Sequence, residues 1–412
     1  MKSSNLDINF VRKQFPKKCW EWAFFENAGG SFVPNSVINR MTEYMAESQV
    51  QPGEHFPMAQ LAQERINSGH KLMAALIGAQ PDEVIIGAST SMNVYVLAKA
   101  LRPLWNEGDE VIVSVQNHEA NSGPWRRLAE TGIKVINWPV DPETGDLQAT
   151  LLPKLLTSKT RLVAFPHVSN ITGTFNDVKA LTTIVHDAGA MVCVDGVAYA
   201  PHRAIDVKRW DVDFYLFSFY KMYGPHIGCL YGKKTHLLAA KGQYHYFVNE
   251  SETAKKLNPP GPCHETIASL VGIADYFSIL AKHHLNKLPN SLFDQTNQIF
   301  KLFAIHEEVL AKTFIEFLES KRTIRLLGLQ NWEHYKRAPT FSFTVEHQKS
   351  AYIPPLLLSE KIAVGHGNFY AKRLIEAAGI QDSEDGVIRV SMAHYNSTEE
   401  VERLISSLDR AL

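Results

Sequence analysis

Residues 191-MVCVDGVAYAPHRAIDVKRWDVDFYLFSFYKMYGPHIGCLYG-232 hold three apolar runs, MVCVD, DFYLFSF and IGCLYG. They also hold two charges that a buried sheet does not ordinarily admit, Asp195 closing the first run and Lys221 just past the second. An unpaired carboxylate at the end of a central strand is costly to bury, so Asp195 either caps the next turn or meets a cation. Lys221 lies one strand further on. An ammonium at that depth has a lowered pKa, which suits a lysine that attacks carbonyls.

Working outward, short β-branched runs (VIIGA, VIVSV, KVINW and RLVAF, then the three above) alternate with helix-length segments at 90–105, 120–131, 147–157 and 177–189. Strands alternating with helices predict a mainly parallel sheet covered on both faces. Ligands bind such a sheet outside the carboxyl ends of its strands. After the loop Asn258-Pro259-Pro260-Gly261-Pro262, residues 262–320 read as long helices. RAPTFSFTV, KIAV and GVIRVSM then read as strands and 368–379 and 397–411 as helices of a separate α+β unit. The expected division is an N-terminal segment (1–30), a large domain (31–285) and a smaller C-terminal α+β domain (286–412).

The 412 residues are 45% hydrophobic and 21% charged, too long a chain for one ordinary core. With a formal net charge of -1 and no like-charge block, neither nucleic acid nor an anionic membrane is the expected partner. Cysteines at 19, 193, 229 and 263 form no CxxC pair and no zinc or disulfide pattern, so no metal is expected and a reducing, cytoplasmic setting fits. The N-terminus carries no apolar core of a signal peptide, and no apolar run approaches a membrane span.

The turn after VIIGA, Gly87-Ala88-Ser89-Thr90-Ser91-Met92-Asn93, opens a helix with small residues and hydroxyls. That is the chemistry of a phosphate cradle, and also of a plain N-cap. Asn117 and His118 follow VIVSV, and His167, Ser169 and Asn170 follow RLVAF. Each could be a site residue or a satisfied loop residue. A phosphate cradle, a buried acid and a desolvated lysine together suit pyridoxal phosphate, with Lys as the Schiff-base amine and Asp on the pyridinium N–H. A structural ion pair is the competing reading.

The segment Val192–Gly232 resembles the cofactor segment of the class V aminotransferases, in the cysteine desulfurase and selenocysteine lyase branch. So do Gly87-Ala88-Ser89, 118-HEANSGPW-125, 166-PHVSNITG-173, 337-RAPTFSF-343 and 388-IRVSMAHYN-396, in the family's order over roughly residues 20–410. The resemblance implies a pyridoxal 5'-phosphate enzyme of fold type I, like aspartate aminotransferase, with a mainly parallel seven-stranded sheet and a smaller α+β domain. It also implies a homodimer and a small amino-acid substrate.

Residue by residue, the resemblance makes Lys221 the cofactor-bearing lysine that also shuttles the substrate's α-proton, and Asp195 the partner of the pyridine nitrogen. His118 would stack on the cofactor ring and Asn170 contact its phenolic oxygen. Ala88, Ser89 and Ser218 would hold the phosphate, and Tyr220 stands where desulfurases often carry a phosphate-reaching histidine. Arg389 would grip the substrate α-carboxylate, a task a planar guanidinium does in bidentate fashion. The turn 26-ENAGGS-31 brings Ala28 and Gly29 near that carboxylate. His366, Asn368 and Tyr370, in the loop 362-IAVGHGNFYAKR-373, are candidates for specificity.

The chain departs from the family's pattern in three places. The 362–373 loop has no cysteine to attack a substrate sulfur; Ala198 stands where a glutamine or histidine is usual; Gly261-Pro262 replaces a Gly-Thr that reaches the partner's phosphate. The expected activity is therefore transamination of an α-amino acid at Lys221. The alternatives are a β-eliminating C–S lyase or desulfurase using Cys263 or another thiol, and a non-catalytic protein that binds pyridoxal phosphate as a sensor or partner.

Overall fold

A computed structural model describes residues 5–412; residues 1–4 of the N-terminal segment lie outside it. The strands are β1 (Ala23–Phe24), β2 (Val84–Gly87), β3 (Glu110–Ser114), β4 (Lys134–Trp138), β5 (Thr160–Pro166), β6 (Met191–Asp195), β7 (Phe214–Ser218), β8 (Gly228–Gly232), β9 (Ile324–Leu327), β10 (Thr340–Val345), β11 (Ile362–Ala363), β12 (Gly365–Gly367) and β13 (Val387–Ser391).

The seven apolar runs from VIIGA to IGCLYG form one sheet in the order β2-β8-β7-β6-β5-β3-β4. Only β8 runs antiparallel to its neighbours. Successive side chains point to opposite faces, and in all but the edge strand β4 both faces are buried, which is why those runs are nearly continuously apolar. Ile112, Val163, Val192, Val194, Tyr215 and Phe217 pack on one face with Val37, Met73, Ile273 and Phe277 of flanking helices. Ile85, Val111, Val113, Leu162, Cys193, Leu216 and Leu230 pack on the other with Val94, Leu97 and Leu101 of the helix Thr90–Leu101.

A second, antiparallel sheet, β12-β13-β10-β9, lies against the helices Leu292–Ser320 and Thr398–Ala411. The last helix starts at Ser397, whose hydroxyl accepts from the Glu400 amide while the Glu400 carboxylate accepts from the Ser397 amide, a capping box. β1 pairs in parallel with β11, and Asn27 and Ala28 bond to Ser391 on β13, so the N-terminal segment is tied to this second sheet.

Several segments differ from the sequence reading. Segment 147–157 is a turn followed by the short helix Leu152–Leu155, because Pro153 has no N–H and is tolerated only in a first helical turn. Segment 120–131 keeps only Gly123–Arg126 as α-helix, and 262–320 divides into His264–Ser269, Val271–His284 and Leu292–Ser320. The KIAV strand shortens to β11, with β12 following it as a separate strand, and 368–379 shortens to Lys372–Ala377 because Phe369 and Tyr370 adopt positive φ. β9 was not read from the sequence.

Candidate active site

The chain leaves β7 at Ser218, makes a 3-10 turn over Phe219–Lys221 and returns into β8. The reversal is closed by Phe219 N–H to the Ile227 carbonyl (3.0 Å) and Gly224 N–H to the Phe219 carbonyl (2.8 Å), with Tyr223 at φ 64°. It leaves Lys221 only 6% exposed. Burial lowers the lysine pKa to about 8; Arg389 pushes in the same direction and Asp195 opposes it. Asp195 ends the adjacent strand β6, where its carboxylate accepts from the Val197 amide at 2.9 Å. Burial raises it to about 6, against the pull of that bond and of Lys221.

Ser89 caps the helix Thr90–Leu101, accepting from Met92 N–H at 3.1 Å, and the Thr90 and Ser218 hydroxyls lie 2.7 Å apart. Gly228 on β8 lets this turn sit close: a Cβ there would fall 2.3 Å from the Thr90 nitrogen. Ala88 is exposed and stands outside the cleft lining, while Thr90 and Ser91, not singled out from the sequence, line it.

His118 is fixed by its Nδ1, which accepts from Ala120 N–H at 3.1 Å, so the neutral ring carries its proton on Nε2. Burial, then Lys221 and Arg389, lower its pKa to about 3. Asn121 anchors the same turn, donating to the Cys193 carbonyl and accepting from Trp125 Nε1. This accounts for the HEANSGPW spacing.

Arg389, 2% exposed, pairs with Glu26 through Nη2, donates from Nη1 to the Asn170 carbonyl (3.2 Å) and lies 3.6 Å from the Phe369 ring centre. Asn170 Nδ2 in turn donates to the Phe369 carbonyl at 3.0 Å. The Ala28 amide donates to Ser391 Oγ, and the Gly29 amide to the Glu26 carbonyl. Tyr220 stacks on His226 with ring centres 4.7 Å apart.

One cleft is thus lined by Ser89, His118, Asn170, Asp195, Ser218, Tyr220 and Lys221, and it continues into a mouth lined by Glu26, Ala28, Gly29 and Arg389. His366 and Asn368 fall outside both. His366 is exposed on β12, and Asn368 turns its amide to the Ser383 carbonyl and its oxygen to Tyr370 N–H. Phe369 and Tyr370, both with left-handed backbone, line the mouth instead. Glu26 was passed over in favour of its neighbours, although a charge beside a glycine turn was a usable signal. Ala198 lines the cleft. Among the described residues no cysteine does: Cys193 and Cys229 are buried in the sheet, Cys19 is half-buried outside the cleft, and Cys263 is exposed.

The donor set fits pyridoxal phosphate. Hydroxyls and the first amides of a helix of 12 residues suit a phosphate, a buried carboxylate suits a pyridinium N–H, and an amine near pKa 8 suits a carbonyl carbon.

Residues 23–404 match the family Aminotransferase class-V. The Aminotransferase-like protein FGM3 of Gibberella zeae is 38% identical over 420 residues, covering 100% of both chains. A probable cysteine desulfurase of Vibrio cholerae is 30% identical, covering 99% of each. The apo structure of a cysteine desulfurase from Thermococcus onnurineus NA1 superimposes with a TM-score of 0.86 at 26% identity, over 100% of this chain and 99% of that one. The sheet, the cleft chemistry and these likenesses agree: the chain belongs to the class-V aminotransferase family, in its cysteine desulfurase-like branch, and is a pyridoxal-phosphate-dependent enzyme.

Proposed function

We propose that the enzyme transforms an α-amino acid at its α-carbon, with Lys221 moving the α-proton and Arg389 gripping the carboxylate, and that the outcome is transamination. The observation that carries this reading is a cleft that holds a buried, readily deprotonated lysine and no thiol among its lining residues. A sulfur-accepting route needs a thiolate at the reacting atom.

Bound pyridoxal phosphate supplies a carbonyl for the amine and a ring that withdraws electrons from the substrate α-carbon. The roles of this chain's residues follow from their surroundings. Asp195 holds the ring-nitrogen proton, His118 offers an uncharged imidazole face, and Asn170 donates to the phenolic oxygen. Ser89, Thr90 and Ser218 hold the phosphate with the helix amides, and Tyr220 adds its hydroxyl. Neutral Lys221 accepts the α-proton and returns it, its burial excluding water from the transfer.

Loss of a β-substituent is the second reading, favoured by relatives named as cysteine desulfurases. We further propose a division into domains at residues 31–285 and 286–412. We propose a homodimer too, supported by the exposed apolar residues Met45, Phe56, Met58, Tyr246 and Phe247. The cytoplasm as its location is supported by four unpaired cysteines.

The test is product analysis of the holoenzyme with a panel of L-amino acids and an α-keto acid acceptor. Transamination gives one new keto acid and one new amino acid per substrate consumed. Sulfide and pyruvate from cysteine, with the acceptor untouched, would establish β-substituent loss instead.

A further inference from the structure

Glu26 and Arg389 meet by one bond where two are available. Arg389 Nη2 is bonded to Glu26 Oε1, yet Arg389 Nε and Glu26 Oε2 are both buried without a hydrogen-bond partner. Arg389 Nη1 is already committed to the Asn170 carbonyl. The edge of the guanidinium left for a ligand is therefore Nε and Nη2, and Glu26 occupies half of it. A carboxylate presented square to that edge would satisfy both donors, but it needs the Nη2 that Glu26 holds.

The Glu26 carboxylate is housed in a slot made by missing side chains. A Cβ at Gly29 would lie 2.7 Å from Oε1, and one at Gly365 would lie 2.8 Å from Oε2. Its backbone is fixed, bridged to Ser391 and accepting from the Gly29 amide at 2.9 Å. Its side chain lines the mouth of the cleft and is 26% exposed, against 3% for the Arg389 side chain.

We infer that Glu26 is a displaceable internal carboxylate, a specificity-determining residue that holds Arg389 when no substrate is bound and sets the affinity a substrate carboxylate must exceed. The inference rests on the proposed role of Arg389 in binding that carboxylate. Ligands that cannot offer a two-oxygen anion, such as amides or esters of amino acids, then fail to dislodge it.

The test is calorimetric titration of the holoenzyme with propionate, a carboxylate without an amino group. Glu26→Gln and Glu26→Ala are expected to bind propionate about tenfold or more tightly than wild type, the scale of one charge-assisted hydrogen bond no longer contested. Arg389→Gln is expected to abolish binding. Equal affinity in wild type and both Glu26 variants, with loss in Arg389→Gln, overturns the inference and leaves the role of Arg389 standing. Weaker binding in both Glu26 variants makes Glu26 a support for Arg389, and overturns it as well. Glu119 lines the same mouth, where its carboxylate pairs with Arg373 rather than Arg389; an equal gain in Glu119→Gln reduces the effect to general electrostatics and also overturns it. Undiminished binding in Arg389→Gln sinks both the inference and the reading beneath it.

Discussion

Phe369 sets its ring centre 3.6 Å from the Arg389 guanidinium carbon, and it does so from a left-handed backbone with φ 47°. Such a conformation costs a non-glycine residue on the order of 1–3 kcal/mol. It is held by the Asn170 amide on the Phe369 carbonyl (3.0 Å) and by Glu119 N–H on the Tyr370 carbonyl (2.7 Å). A desolvated cation on an aromatic face gains about 2 kcal/mol. Phe369→Ala is therefore expected to raise KM for an amino-acid substrate roughly 10–30-fold with a smaller change in kcat. Steady-state kinetics check this, and a fall in kcat at constant KM contradicts it.

Lys221 titrates near pH 8 because burial strips its solvation and Arg389 repels its charge. Only the neutral amine is a nucleophile, so covalent capture of pyridoxal phosphate by apo-protein is expected to speed up as pH rises through about 8 and to level off above it. Stopped-flow absorbance follows the capture. Lys221→Ala is expected to retain no cofactor after borohydride reduction and denaturation. The linkage has a definite sign. The folded pKa lies below the ordinary lysine value of 10.5, so the folded state binds fewer protons between about 8 and 10.5, and apo-protein stability is expected to rise with pH across that window.

Gly228 admits the Ser89–Thr90 turn. Gly228→Ala places a Cβ 2.3 Å from the Thr90 nitrogen and 2.5 Å from the Ser89 carbonyl carbon, both backbone atoms that cannot step aside. Overpacking of this kind costs about 1–3 kcal/mol. The expected result is cofactor affinity weakened roughly 10–100-fold, read as faster loss of pyridoxal phosphate on dialysis, with Lys221 still able to form the covalent adduct. Unchanged affinity would remove the turn from the phosphate site.

Arg337 is 1% exposed and donates to the carbonyls of Leu329, Thr172 and Thr340, with its guanidinium 4.4 Å from the Phe341 ring centre. Arg337→Met leaves those buried carbonyls without a donor, and the expected loss is about 3–5 kcal/mol of folding stability. Urea unfolding measures it. A change below about 1 kcal/mol would show that water replaces the arginine.

The order of the sequence's apolar runs carried the large sheet because every strand in it except the edge strand β4 is buried on both faces, so periodicity and turn residues sufficed. Asp195 and Lys221 stood out for the same reason: a charge inside continuous apolar sequence has few bland explanations. Segments whose shape depends on distant partners were not legible. β9 exists by pairing with β10, KIAV keeps as strand only the two residues that β1 pairs with, and Phe369 lines the cleft mouth from a left-handed backbone. Of the loop candidates His366, Asn368 and Tyr370, only Tyr370 lines the mouth, joined there by Phe369. Glu26 carries only the signal of a charge beside a glycine turn, because the partner that gives it meaning, Arg389, lies 363 residues away in the chain.

The hairpin from β7 to β8 fixes Lys221 within a dozen residues of chain, between two hydrogen-bonded neighbours of the large sheet. Arg389 arrives on β13 of the other sheet, and its companions Glu26 and Phe369 are fastened to that same sheet or beside it. The proposed anchor for the cofactor and the proposed grip on the substrate thus stand on different sheets. A small sway of the antiparallel sheet would loosen or tighten the hold on an incoming amino acid while the lysine stayed where it was, so selectivity can drift over evolutionary time through hinge and loop changes that leave the chemistry untouched.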